Sequence, residues 1–591
     1  MPPGTPSASS SAAHATMVEG CPAHCQNAGG FNAGEPVMRA TLLLLILAAA
    51  AAAAAAPATA RERGSPIAVQ TLKDVTRTLS SDAFEGRAPT TPAEDKTVAY
   101  IVQRFKAAGL KPGNPRGPNG ASWFQDVPMV EITAGAVKPL VFSGGKSPVA
   151  LAYRSDMVVA TYRVEPHIDV ADSEVVFVGY GVTAPEKGWD DYAGVDVRGK
   201  TVVILVNDAD WQSKGSAGPF EGRAMTWYGR WPYKYENAAK HGAAAAIIVH
   251  DTEPAAYPWA VVQSSWTGPQ YELDEPGDHA DQSRLIGWMQ LPKARELFAS
   301  AGKDFGALSV AARTRGFRAV PLGLKLTAGF GNTIRKSMSK NVIGVLPGTS
   351  AAGDYVLYSA HWDHLGRCDA VDGDDICNGA LDNASGSAGL VALAEAHARA
   401  GPARRSIAFL AVTAEESGLL GSRYYAEHPV YPLARTVGGV NMDGLNVNGP
   451  TRDFVLVGAG KSEIEDMAKA LLTAQGRRVS PEATPERGYY YRSDHFSFAR
   501  LGVPMLDGES GEDLVRGGTA AGHAAAEDYV AHRYHKPQDE YRADWDWSGA
   551  VQDLRLYYDL GRKLADTPSL WPNWYPTAEF RAVRDRSRAG R

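Results

Sequence analysis

The chain has 591 residues, with 60 Lys and Arg against 66 Asp and Glu and a formal net charge of −6. Its 44% hydrophobic and 21% charged residues give a globular balance, which excludes wholesale disorder, and no basic face marks it as a nucleic-acid binder. Gly and Pro show no fixed period, which argues against collagen-like and solenoid folds, and the length predicts about two to four domains.

Residues 42–56 read Leu-Leu-Leu-Leu-Ile-Leu followed by nine alanines. Arg39 precedes them, and Ala58-Thr59-Ala60 follows with small residues where a signal peptidase reads. Residues 38–60 are therefore expected to be a signal peptide that sends the chain to the periplasm or outside the cell. The apolar run is short for a span of about 20 residues, so no stable membrane insertion is expected after cleavage. Residues 1–37 lack periodicity, and Met38 reads as the start of the signal. Of the four cysteines, Cys21 and Cys25 fall before the cleavage site. Cys368 and Cys377 remain, too few for a cysteine zinc site, and in an oxidising compartment they are expected to form a disulfide.

Val98, Ile101, Val102 and Phe105 recur at helical spacing, which predicts a helix over about 93–108, ended by Gly109 and Pro112. A Pro/Gly/Asn-rich loop over 111–121 follows. From 150 to about 310 the chain reads as a β-rich insertion, with short buried strands at 175–178, 201–206 and 245–249 and a helix around Tyr235–His241 before the last. From 340 onward, strands at 341–346, 354–360, 406–413, 437–443 and 453–457 alternate with helices at 386–400, 418–427 and 461–475. This alternation predicts a doubly wound α/β sheet, with ligands bound beyond the carboxyl ends of its strands.

The chemistry-bearing residues fall at those ends. Strand 354–360 runs into His361-Trp362-Asp363-His364, strand 406–413 into Glu415-Glu416, and strand 437–443 ends in Asn441-Met442-Asp443. Asp382-Asn383 precedes the helix at 386, and His535-Lys536-Pro537-Gln538-Asp539 comes later. His and carboxylate donors without Cys suit a catalytic zinc site, and five ligands with one shared carboxylate suffice for two ions. A carboxylate that is not a ligand must then take the proton from water, and the Glu415-Glu416 pair can supply one of each.

This ordered set resembles the secreted di-zinc aminopeptidase family, which includes bacterial leucyl aminopeptidases and glutamate carboxypeptidase. The resemblance covers about 70–145 and 325–565. It implies a mixed sheet flanked by helices and two Zn2+ per chain. His361 and Asp443 would bind one ion, Asp382 would bridge, and Glu416 and His535 would bind the other. Glu415 would be the general base, and Asp363 would orient His361. In Ser493-Asp494-His495, His495 would lie behind the ligands, and the tyrosine three positions before the serine, Tyr490, would bind the oxyanion. The Gly179-Tyr180-Gly181 stretch, the strand at 202–206 and the Lys240-His241-Gly242-Ala243 turn resemble the protease-associated domain inserted in many such enzymes. The domain boundaries that follow are 1–60 for the extension and signal, 61–149 and 321–570 for the two parts of the peptidase domain, 150–320 for the insertion, and 571–591 for a basic tail.

Other classes are excluded by near misses. Gly458-Ala459-Gly460-Lys461-Ser462 has Val455 where a phosphate loop needs its first Gly, and neither a Gly-x-Ser-x-Gly elbow nor a His-Glu-x-x-His helix occurs. The acidic loop 367–377 does not have the spacing of a calcium-binding EF-hand. The expected function is zinc-dependent removal of N-terminal residues from peptides with a free amine. The alternatives are a dipeptidase or carboxypeptidase of the same family, a glutaminyl cyclase, or a non-catalytic binding homologue.

Overall fold

The structure, a computed structural model, describes residues 65–589 except 118 and 216. The expected extension and signal peptide at 1–60 lie outside the described residues. Among the described residues, no helix is long and apolar enough to cross a membrane.

In chain order, the elements that build the fold begin with helices α1 (Val69–Leu79) and α2 (Pro92–Ala107) and strand β1 (Phe124–Ala134). Then come β2 (Met157–Ala160), β3 (His167–Phe177), β4 (Thr201–Leu205), α3 (Trp231–Lys240), β5 (Ala245–His250), β6 (Leu285–Gln290) and α4 (Leu291–Ser300). The third group is β7 (Val320–Leu346), β8 (Ala351–His361), α5 (Gly386–Arg399), β9 (Arg405–Val412), α6 (Leu420–Glu427) and β10 (Thr436–Asn441). The last is α7 (Glu463–Ala474), α8 (His495–Arg500), β11 (Met505–Leu506), α9 (Gly518–His532) and α10 (Ser548–Asp566).

The sheet that carries the chemistry runs β11-β10-β8-β9-β7. The first four strands are parallel, and β7 is antiparallel to β9. Alternation along β9 explains its two covered faces. Ile407, Phe409 and Ala411 join a core with α1, α2, α5 and α10, while Ala408, Leu410 and Val412 face the opposite core, where α6 and α8 pack. Leu72, Val75 and Leu79 of α1 are fully buried in the first core, and each contributes about 1.5–3 kcal/mol. The mixed sheet with helices on both faces is the architecture that the strand–helix alternation predicts.

β7 is 27 residues long, and its first half leaves this sheet to pair antiparallel with β3 in a second lobe. There β3, β4, β5 and β6 are parallel, and β2 closes the edge antiparallel to β6. Leu297 and Phe298 of α4 cover one face, and Tyr235 and Ala238 of α3 cover the other. This lobe is a layered α/β unit; the helix expected around 235–241 is α3, and the other helices make it less β-rich than the sequence reads. The apolar runs 202–206 and 245–249 are continuous because they belong to parallel strands buried on both faces. The expected loop at 111–121 holds a short hairpin, Asn114–Gly117 with Gly120–Ser122.

Candidate metal centre

The strand order brings distant residues together. His361 is the last residue of β8, Glu415 and Glu416 follow β9, and Asp443 lies two residues past β10. Because these three strands are parallel neighbours, all four side chains emerge at one edge of the sheet. Asp382 enters from the turn Ala380–Ser385 that feeds α5, and the Asp382–Asn383 peptide is cis. Gly386 opens α5 directly behind it, where a β-carbon would collide with Asn383 Oδ1.

Two donor groups share Asp382. His361, Asp382 and Asp443 offer ligand atoms that all lie within 4.8 Å of one another, and so do His364, Asp382 and Glu416. His361 Nε2 is 3.0 Å from Asp443 Oδ1 and 3.4 Å from Asp382 Oδ1. His535 Nε2 is 3.3 Å from Asp382 Oδ2 and 3.2 Å from Glu416 Oε2. His364 Nδ1 lies 2.7 Å from Glu416 Oε1. The sequence places His364 beside the other donors but assigns it nothing; its position three residues after His361 on a strand exit was the available signal.

The electrostatics of this cluster follow from crowding. Burial pushes the Glu415 carboxyl well above the usual range, Asp443, Glu416 and Asp494 push it further, and His361 opposes them. Burial and Asp382 raise Glu416, but His535 and His364 overcome them and hold it at about 2. Burial alone would deprotonate His535, yet Glu416 and Asp382 raise it to about 10. His361 is likewise raised, by Asp443 and Glu415 against burial. The crowded carboxylates thus require positive charge between them. Divalent cations fit the same N/O donor set. The buried Nε2 of His535, beside Asp382 and Glu416, has no well-formed hydrogen bond, which is what a ligand atom aimed at an ion shows.

Three further residues shape the cluster. Asp539, 1% exposed, accepts from the backbone N–H groups of Leu381 (3.1 Å) and Asp382 (3.0 Å). Arg87, fully buried, donates to the carbonyls of Trp362 (2.9 Å), Leu79 (2.8 Å), Asn378 (2.6 Å) and Gly379 (2.9 Å). It thereby ties the chain after His361 to the turn before Asp382. Tyr534 stacks on His535 with ring centroids 3.9 Å apart, and burial together with Asp382, Glu416, Glu415 and Asp443 raises its hydroxyl. Sequence reasoning missed all three.

Other expected site residues take these places. Asp363 is buried; its backbone carbonyl lies 3.2 Å from His361 Nδ1, its Oδ1 lies 3.8 Å from that atom, and it accepts the Glu415 N–H at 3.2 Å. Tyr490 does not join the donor cluster. It is packed among Tyr491, His495 and Phe580 with Lys461 Nζ 5.2 Å from its ring, and the charges that act on it are Glu579, Glu465 and Asp507. The aromatic run drew it into this core. His495 is buried behind the donors, 3.5 Å from Asp507 Oδ2. Cys368 and Cys377 are joined by a disulfide across the hairpin Gly366–Val371 with Asp374–Cys377.

A parallel-sheet edge that gathers three imidazoles and three further carboxylates around one shared aspartate offers the donor set that a hydrolase's metal centre uses. Residues 341–558, which hold every one of those groups, match Peptidase family M28. An aminopeptidase from Aneurinibacillus sp. strain AM-1 is similar in structure at 21% identity, covering 86% of this chain and 96% of that one, with a TM-score of 0.46. BSAP, a zinc aminopeptidase from Bacillus subtilis, is 16% identical over 88% of this chain and 98% of its own, with a TM-score of 0.39. A Peptidase M28 precursor from Shewanella amazonensis SB2B is 16% identical over 87% and 97%, also at 0.39. No curated protein matches the chain.

Proposed function

We propose that the chain is an exported aminopeptidase that binds two zinc ions and removes N-terminal residues from peptides. The observation that carries this reading is the sharing of Asp382 between two donor groups, with Glu415 beside them. His361, Asp382 and Asp443 would hold one ion, and Asp382, Glu416 and His535 the other. Zinc, when bound there, supplies an acidified water and polarises the scissile carbonyl.

The remaining work falls to the protein's own groups. Glu415 takes the proton from the attacking water and returns it to the leaving amine, a role suited to a carboxylate held by its surroundings at raised proton affinity. Tyr534, rather than Tyr490, donates its hydroxyl to the developing oxyanion. Asp443, the more exposed carboxylate of the His361 side, favours the α-ammonium of a free N-terminus there. Asp363 fixes the strand exit that carries His361. Export rests on residues 38–60 and agrees with the Cys368–Cys377 disulfide.

The test is Glu415→Gln, assayed on aminoacyl-anilides and on N-blocked peptides with zinc measured in the same preparation. Zinc is expected to stay while kcat falls about 10²–10⁴-fold, and the blocked peptides stay uncut by the wild type. Full turnover in the zinc-loaded variant would remove the base role, and cleavage of blocked peptides would remove the aminopeptidase reading.

A further inference from the structure

The second lobe has a crevice that shares no residue with the metal centre. Strands β4, β5 and β6 are parallel neighbours in chain order, so their carboxyl ends share one edge. The chain leaving β5 crosses one face of the sheet, where Val262 of the helix Trp259–Ser265 and Trp266 are buried with Tyr235 of α3. The chain leaving β6 turns to the other face, where Leu297 and Phe298 of α4 are buried. Adjacent strands whose connections part to opposite faces leave a gap beyond their carboxyl ends, and open α/β sheets bind ligands in that gap.

The gap here is a cavity of about 250 Å³. Leu205 at the end of β4, Val249 of β5 and Leu291 at the start of α4 line its apolar part. Asp251, the residue after β5, lines its polar part together with Arg295 of α4 and Arg313. Arg313 is half-buried and donates to Gln212 Oε1. Arg295 and the Asp251 carboxylate face the same small cavity with opposite charge and do not pair. Among the described residues neither side chain makes an ion pair or a hydrogen bond.

This wall has three kinds of surface, each with its own counterpart. Guanidinium forks take both oxygens of a carboxylate. A carboxylate at the edge of a low-dielectric cavity attracts an ammonium. The strand ends offer aliphatic contact. The volume lies below the roughly 300–1,000 Å³ of pockets that hold drug-sized ligands, which limits the occupant to about one amino acid.

We infer that the cavity binds a free apolar α-amino acid, with its carboxylate on Arg295 and Arg313, its ammonium on Asp251 and its side chain against Leu205, Val249 and Leu291. The site needs no turnover. Under the exopeptidase reading above, its ligand is the kind of molecule that the reaction releases.

The test is calorimetric titration of the zinc-loaded full chain with leucine, N-acetyl-leucine, leucinamide and glycine. The three analogues remove the ammonium, the carboxylate and the side chain in turn. Leucine is expected to bind, and each analogue to bind about tenfold or more weakly. Arg295→Gln and Asp251→Asn, both at the rim of the cavity, are each expected to weaken leucine about tenfold or more. Leucine held at the metal centre would survive in both variants, so unchanged affinity in either variant would overturn the inference. Absence of leucine binding, or equal affinity for leucine and any of the analogues, would overturn it too. The readout is heat of binding, so failure of the peptidase reading leaves this test intact.

Discussion

The carboxylate of Asp539 accepts the backbone N–H of Asp382 at 3.0 Å, so the residue shared by both donor groups is aimed by a side chain 157 positions later in the chain. The same carboxylate takes the Leu381 N–H at 3.1 Å, and the Asp539 carbonyl takes the Ala380 N–H at 2.9 Å. The turn is thereby fixed from outside before any ion arrives.

Replacing this anchor is expected to loosen metal binding rather than the fold. Asp539→Asn keeps the size but accepts fewer N–H bonds, and metal affinity should fall about 10–100-fold in a chelator competition. An unchanged affinity would show that the turn holds its own shape.

His364 makes a different prediction. Its Nδ1 lies 2.7 Å from Glu416 Oε1 and its ring is fully buried, whereas the His535 side chain is 35% exposed and follows a helix, α9, with no buried residue. The fixed imidazole is expected to hold the Glu416 side of the centre in place. His364→Ala should weaken one of the two ions by about tenfold or more while the other stays, read by titrating zinc with a chromophoric chelator. Equal weakening of both, or of neither, would contradict this.

The protein is also expected to lose stability in mild acid through a group remote from the metal centre. His397 is fully buried in α5, where burial and then Arg562 lower it to about 3. Its Nε2 lies 3.0 Å from the Tyr358 hydroxyl, which itself donates to the Tyr557 carbonyl at 2.8 Å. The hydroxyl hydrogen is therefore spent, Nε2 is the donor, and Nδ1 is left as a bare acceptor. Unfolded histidine takes its proton near 6.5, so the unfolded state gains protons first and stability is lost as pH falls from about 6.5 toward 3. His397→Gln should flatten the drop in Tm between pH 7 and pH 5. An equal drop in both proteins would assign the acid sensitivity elsewhere.

What the sequence makes legible is what local pattern controls. Apolar runs ending in His, Glu or Asp place His361, Glu416 and Asp443 at strand ends, and parallel neighbours bring those ends together. The residues that escape depend on packing between distant segments. Arg87 sits in a turn 275 positions before the Trp362 carbonyl it binds, and nothing local marks it. The resemblance points to Tyr490 by its spacing from Ser493 and says nothing of Tyr534; only the fold shows that Tyr534 stacks on His535 while Tyr490 fills an aromatic core. The second lobe reads as β-rich although its helix around 235–241 is legible, because buried parallel strands leave no alternation that tells how the layers stack.

The measurement that bears most directly on the central claim is the zinc content of the mature protein and of Asp382→Ala, each after exhaustive dialysis against trace zinc. The shared position of Asp382 predicts about two ions in the wild type and at most one, weakly held, in the variant, with peptide hydrolysis lost. Two ions retained by Asp382→Ala, or one ion in a fully active wild type, would contradict a centre built around this aspartate.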